Sequence, residues 1–281
     1  MSLALDLPAR EALKARIARL ERNKVAPALW GAAPFGDARV DGCLPFGGLQ
    51  RGHWHEIAGD GFEQEAPAAM TGFAALLARQ VQQQGVIVWA LRRDDLHAPG
   101  LQSFGIDPDK LILVRVDKDD DVLAVQEDAL RTRSVAVAIG ETDRIDLTAG
   151  RRLQLACEKN GATGFVLRRK LYASKPRANV QAAAAATRWR VAPAPSETNE
   201  PGPKSALGAP RWAVRLERCR GGRPGAWIME TQNARNTEET GFVRVFAELA
   251  DHAAAANDGG RAAAWARDRV AERNRAAAGG G

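Results

Sequence analysis

The sequence predicts an α/β fold built on a mostly parallel β-sheet flanked by helices. Three observations point to it. Short apolar runs recur as IVWAL (87–91), VAVAI (135–139) and TGFVLR (163–168), as expected for strands buried on both faces. Helix-like stretches lie over 64–83, 122–133 and 148–160. Strands and helices alternate, which argues for βαβ units with right-handed crossovers.

The elements follow in chain order. Residues 7–24 read as a helix, because Leu13, Ile17 and Leu20 recur at helical spacing while Arg10, Lys14, Arg16, Arg19, Arg22 and Lys24 occupy the other faces. Such a narrow apolar stripe needs a surface to pack on, since a lone helix of about 18 residues is marginal in water. Residues 1–24 are therefore expected to be a docking arm, laid on the chain's own core, on a neighbouring copy or on a partner. Residues 25–45, punctuated by glycine and proline, read as a linker. The core is expected over 46–250. The helix at 148–160 has Thr148 as a candidate N-cap and Gly161 just past its end. Beyond Arg168, TRWRV (187–191) and RWAVRLERCR (211–220) read as strands, GGRPG (221–225) as a turn and AWIME (226–230) as the returning arm of a hairpin. Residues 192–210 are rich in proline, serine and glycine and read as a mobile insertion. The Ala/Arg-rich tail, 251–281, lacks apolar mass and is expected to be disordered when free, either as a solubilising tail or as a recognition element centred on Trp265.

Composition narrows the function. The chain has 281 residues, 45% of them apolar, and no window approaches a membrane span. The N-terminus lacks the layout of a secretory signal. Cys43, Cys157 and Cys219 are odd in number and widely spaced, forming neither a disulfide framework nor a zinc pattern. A cytoplasmic protein with no membrane contact is expected. The net charge of +6 suits an acidic partner such as DNA, or reflects a surface that simply uses arginine heavily. The DNA-binding candidates are Arg188, Trp189, Arg190, Arg211 and Trp212, with arginines for phosphates and tryptophans for base stacking. The competing reading places both tryptophans in the core. Strand alternation separates Arg211 and Arg215 from Arg218 and Arg220, so these four are not expected on one face.

The stretch HWHEIAGDGFEQEAPAAM (53–70) has the order of a phosphate loop: strand, glycines at Gly59 and Gly61, then helix. Its chemistry does not match. No lysine or arginine lies between His55 and Arg79, and Glu63 and Glu65 sit in the loop. Thr71 comes late for a magnesium ligand. Two like unit charges about 4 Å apart repel by about 1 kcal/mol in water and about 4 kcal/mol near a protein surface, which outweighs the roughly half charge of a helix end. The site reads as a degenerate nucleotide site, with no ATP bound, no other cofactor and no enzymatic turnover. His53 and His55 share a strand face but have no third ligand nearby, so packing is the expected role.

HAPGLQSFGIDPDKLILVRVDKDDDVLAVQEDALRTRSVAVAIGETDRIDL (97–147) resembles the RecA core, where a G-(V/I)-D-x-(D)-x-L-(L/I) turn leads into a strand, then an E-x-A-L helix and the central strand. LPFGGLQRGHWHEIAG (44–59), DLHAPGLQSFGID (95–107), DLTAGRRLQLACEKNGATGFVLR (146–168) and PRWAVRLERCRGGRPGAWIME (210–230) resemble the ImuA family more closely, a bacterial family related to RecA and to SulA-type division inhibitors. The resemblance covers most of 44–230, and the last two stretches are specific to the family. It implies a RecA-like core and a role in damage-induced translesion synthesis beside ImuB and an error-prone replicative-type DNA polymerase subunit, with action on RecA or self-association as further implications. The alternatives are a SulA-like division inhibitor and an active DNA-dependent ATPase. Departures from RecA fall in three places. The loop lacks its Lys-Thr pair. Leu91, Arg92 or Arg93 stands near the catalytic glutamate's place, with Asp94 as a substitute. Gly140 stands where the magnesium-shell acid belongs, with Glu141 one step on.

Overall fold

A computed structural model describes residues 29–59, 67–169, 185–196, 208–231 and 243–249. The arm stripe of Leu13, Ile17 and Leu20, the loop residues Gly61, Glu63 and Glu65, and Trp265 in the tail lie outside the described residues.

Nine strands form one mixed sheet in the order β11-β10-β9-β8-β3-β7-β6-β4-β5. They are β3 (Trp54–Gly59), β4 (Val86–Leu91), β5 (Leu111–Arg115), β6 (Val135–Thr142), β7 (Thr163–Arg168), β8 (Thr187–Ala194), β9 (Arg211–Cys219), β10 (Gly225–Thr231) and β11 (Val243–Glu248). The pairs from β8 across to β5 are parallel, and those from β8 to β11 are antiparallel. Helix α2 (Pro67–Val81) covers one face, while α3 (Asp119–Leu130) and α4 (Leu147–Asn160) cover the other over β3 to β4. The α/β class and the βαβ alternation are as expected. So is the β9–β10 hairpin, which pairs Leu216 with Gly225.

Period-two alternation divides β3, β4, β6 and β7 between two cores, and β8 to β11 contribute to the first alone. Ile57, Trp89, Phe165, Trp189, Val214 and Trp227 face α2. Trp54, Val88, Ala138 and Val166 face α3 and α4 with Leu130, Leu153 and Cys157. Helix α4 is capped by Asp146, whose carboxylate accepts from Ala149 N–H at 2.7 Å. Thr148 is therefore inside the first turn and is not the cap. Gly161 ends the helix at φ 76°, and a Cβ there would come within 2.5 Å of the Trp30 ring, so glycine is required twice over.

The segment read as a linker belongs to the core from Ala33 onward. Strand β1 (Ala32–Ala33) pairs with β2 (Leu49–Gln50), and a single helical turn, α1 (Ala38–Asp41), follows it. Ala33, Phe35 and Val40 are fully buried, and the Phe35 ring sits 5.7 Å from Trp189. Asp41 accepts from the Phe35 and Gly36 N–H groups at 2.7 and 3.0 Å. Glycine and proline mark its turns correctly, yet the apolar residues between them cover the sheet over Trp189.

Candidate functional site

In open α/β sheets ligands bind where the parallel strands end at their carboxyl side. The strands here end at Gly59, Leu91, Arg115, Thr142 and Arg168. Their side chains form a row of arginine–carboxylate pairs. Glu141, near the end of β6 and only 4% exposed, accepts from the Trp89 indole N–H at 2.9 Å and from Arg169 at 2.6 Å. Arg169, itself 5% exposed, forks onto Asp95 with two bonds of 3.0 and 2.7 Å. Arg92 donates to Asp119 at 2.9 Å and to the Asp117 carbonyl at 3.0 Å. Glu56, in the middle of β3, holds Arg168 at 3.3 Å and Arg188 at 3.1 Å. Arg190 donates to Glu217 at 3.0 Å and to the Gly59 carbonyl at 3.2 Å.

Burial raises the Glu141 carboxyl, and the Arg169 guanidinium and Trp89 N–H pull it part of the way back. Burial works against the charged form of Arg169, but its bonds to Asp95 and Glu141 prevail and hold it above the usual guanidinium range. The hydrogen bond from Arg169 lowers Asp95. The cleft bounded by Arg92, Arg93, Asp119, Glu141 and Arg169 encloses about 10 Å³, room for about one water molecule.

The three departures from a RecA-type site acquire physical detail. Asp95, rather than Asp94, turns into the cluster; Asp94 is exposed and lies 3.5 Å from Arg115. Gly140 leaves space for Gln126 of α3, which donates to the carbonyls of Ala138 and Phe165 at 3.1 and 2.8 Å. A Cβ at Gly140 would lie 2.6 Å from Gln126 Oε1. Gly59 is the last residue of β3, and Thr71 is half-buried in α2. Sequence reading singled out Glu141 but missed Arg169. The available signal was the Arg-Arg pair closing β7, since the parallel register sets Thr142 beside Arg168. Arg190 was missed as a neighbour of the loop because it is 131 positions from Gly59.

The DNA-binding candidates divide into two groups. Trp189 and Trp212 are core residues, 0% and 3% exposed, packed against Phe73 at 5.7 and 6.0 Å. Neither offers a ring face to a base, so the stacking expectation is corrected: both point to the α2 side. Arg188, Arg190 and Arg211 lie on the opposite side of β8 and β9. On that side Arg211 is paired to Glu230 at 2.5 Å. The expected split among the β9 arginines is also corrected. The ladder slips between Arg188 and Trp189, leaving Glu217 as the extra residue and setting Arg218 opposite Arg188. Directly opposed residues share a face, so the bulge returns Arg218 to the side of Arg188, Arg190, Arg211 and Arg215. Glu230 pairs with Arg211 and Arg244, which adds Arg244 to this face. It thus carries Arg188, Arg190, Arg211, Arg215, Arg218 and Arg244 against Glu56, Glu217 and Glu230.

His55 is fully buried and bonded to Thr187 Oγ1 at 2.8 Å and to the Gln50 carbonyl at 2.9 Å. A carbonyl only accepts, so Nε2 carries the proton and Nδ1 accepts from the Thr187 hydroxyl. That hydroxyl in turn accepts from Trp189 Nε1 at 2.7 Å. This closed chain gives His55 a packing role. Among the described residues no three His, Cys, Asp or Glu side chains gather as a metal site.

No protein-family model matches the chain. Two curated relatives do, both called Protein ImuA, from Caulobacter vibrioides strains NA1000 / CB15N and ATCC 19089 / CIP 103742 / CB 15. Each is 48% identical over 233 residues, which span 81% of this chain and 93% of the relative.

Proposed function

The chain belongs to the ImuA family, and on that premise we propose that it is a non-catalytic accessory protein of damage-induced mutagenic translesion synthesis. Its partners in this reading are ImuB, an error-prone replicative-type polymerase subunit and DNA, with RecA as a target of modulation. The observation that carries the non-catalytic part is the commitment of Glu141. Both of its oxygens are bonded, one to Trp89 and one to Arg169, in a cleft with room for about one water molecule. A magnesium-holding acid needs an oxygen open to the ion, and an ATP site needs a cation facing the phosphates. Here the loop supplies Glu63 and Glu65 instead.

The DNA part is supported by the side of β8 to β11 turned away from α2, where, among the described residues, the six arginines outnumber Glu217 and Glu230, with Glu56 of β3 beside them. A phosphate backbone complements such an excess without any base contact.

Hydrolysis of ATP by the full chain, with and without single-stranded DNA, tests the reading. No magnesium-dependent turnover above background is expected. A rate abolished by Glu141→Gln would overturn it and restore the ATPase alternative.

A further inference from the structure

Strand β5 is last in the strand order and, among the described residues, pairs only with β4. Its centre is Leu111-Ile112-Leu113-Val114, with no proline or charge. Ile112 is 48% exposed and Leu113 40%. Being adjacent in a strand, they put apolar surface on both sides of the edge. Sheet edges are ordinarily blunted by lysine, proline, bulges or a covering element. Among the described residues no element covers this one, and it is charged only at its ends, by exposed Asp109, Lys110, Arg115 and Asp117.

We propose that this edge is a self-association site, where a second copy of the chain pairs its own β5 antiparallel about a two-fold axis to make one continuous sheet. Backbone direction and charge together select the register. The Val116 N–H donates inward to the Leu91 carbonyl at 3.0 Å. By alternation, the N–H and C=O groups of Leu111, Leu113 and Arg115 point outward to the free edge. Facing residues of an antiparallel pair must both point toward each other or both away, so odd numbers face odd and even face even. Three centred registers satisfy that condition. Centred on Leu113, Asp109 faces Asp117 of the copy. Centred on Val114, Lys110 faces Lys118 and Asp109 faces Asp119. Like charges directly opposed are destabilising. Centred on Ile112, Leu111 faces Leu113 and Asp109 faces Arg115, each twice by symmetry, and Ile112 meets its own copy on the axis. Of the three it alone opposes acid to base and Leu111 to Leu113; Lys110 then faces Val114, and Asp107 faces Asp117 outside the strand's ends. One pair of five-residue strands with flanking ion pairs is a small interface, so the dimer is weak, with a Kd on the order of micromolar.

Sedimentation equilibrium of the full chain from about 1 to 200 μM tests the pairing, and cysteine cross-linking tests the register. A concentration-dependent monomer–dimer equilibrium is expected. Ile112→Lys, at an exposed position, places two ammonium groups across the axis and should weaken the dimer at least about tenfold. Ile112 is a non-hydrogen-bonded pair with its copy, about 4.5 Å between Cα atoms, so Ile112→Cys should form a covalent dimer with oxidised glutathione. Leu113→Cys should not, because its copy lies two residues along the strand, beyond the roughly 7 Å reach of a disulfide. Arg115→Glu should weaken the dimer, and the exchange Asp109→Arg with Arg115→Asp should restore it. A wild-type chain that stays monomeric throughout overturns the proposal and leaves the edge to an extended segment of another protein. A dimer indifferent to Ile112→Lys also overturns it, and preferential cross-linking through Leu113→Cys overturns the register.

Discussion

Removing Arg169 should expose what its pair with Glu141 contributes. In Arg169→Met, Glu141 keeps only the Trp89 N–H while remaining 4% exposed. Leaving one partner of a buried ion pair uncompensated costs about 3–5 kcal/mol. Asp95 adds little, since its side chain is 45% exposed and exposed pairs are worth about 0–1 kcal/mol. The variant can escape part of the cost by protonating Glu141. Burial already raises that carboxyl above 4.5 in the native chain, and losing Arg169 raises it further. A raised carboxyl means that folding takes up a proton, so the penalty is full above the folded-state pKa and fades as the pH falls toward the unfolded value. The deficit against wild type should therefore be smaller at pH 5.5 than at pH 8. The double variant Glu141→Gln, Arg169→Met removes the orphaned charge and should recover most of the loss. Urea denaturation of wild type, both single variants and the double variant at the two pH values gives the cycle. A deficit below about 1 kcal/mol at pH 8, an equal deficit at both pH values, or additive single effects would each refute the account.

Two further outcomes follow from the same structure. Burial pushes His55 down to about 3 from 6.5, so stability contributed by the neutral ring is intact above pH 6.5 and falls by about 1.4 kcal/mol per unit as the pH drops toward 3; His55→Gln should flatten that slope in urea titrations between pH 6.5 and 4, and an unchanged slope would count against a buried neutral imidazole. DNA affinity, read by fluorescence anisotropy, should be sequence-independent and fall steeply with salt, and Arg190→Gln with Arg218→Glu should weaken it about tenfold at low salt and flatten the salt slope, while identical binding by this pair of substitutions would remove the β8–β11 face as the contact.

The elements that were legible in the sequence are those whose signal is local. Strands β4, β6 and β7 announce themselves as unbroken apolar runs, and the β9–β10 hairpin by its glycine-proline turn. What escaped depends on contacts distant in sequence. The segment around Phe35 looks like a linker because its turns dominate its composition; only the Trp189 ring shows why its apolar residues are buried. The Glu217 bulge inserts one residue and leaves no compositional trace, yet it decides which face Arg218 occupies. Glu141 was noticed as an acid at the right strand end, but its neutralising partner is 28 positions away. Strand β11 went unread, as its six residues gain a partner only once β10 is in place.

The strand-end cluster is coherent as a set of charges, and that bears on whether it could admit a divalent ion. A divalent ion at the strand ends would need carboxylate oxygens freed from Glu141, Asp95 or Asp119. Arg169 and Arg92 hold those oxygens with bonds of 2.6 to 3.0 Å. Displacing Arg169 strands a guanidinium that is 5% exposed, which costs as much as stranding the carboxylate. An acid placed at Gly140 would drive its Cβ into Gln126, which bridges two strand carbonyls. Each change thus meets a neighbour already fitted to the present arrangement. Arg168, Arg188 and Arg190 carry a second set of arginine–carboxylate pairs from Glu56 onto the β8–β11 face. The carboxylates at the strand ends are thus committed to arginines rather than left open to a cation.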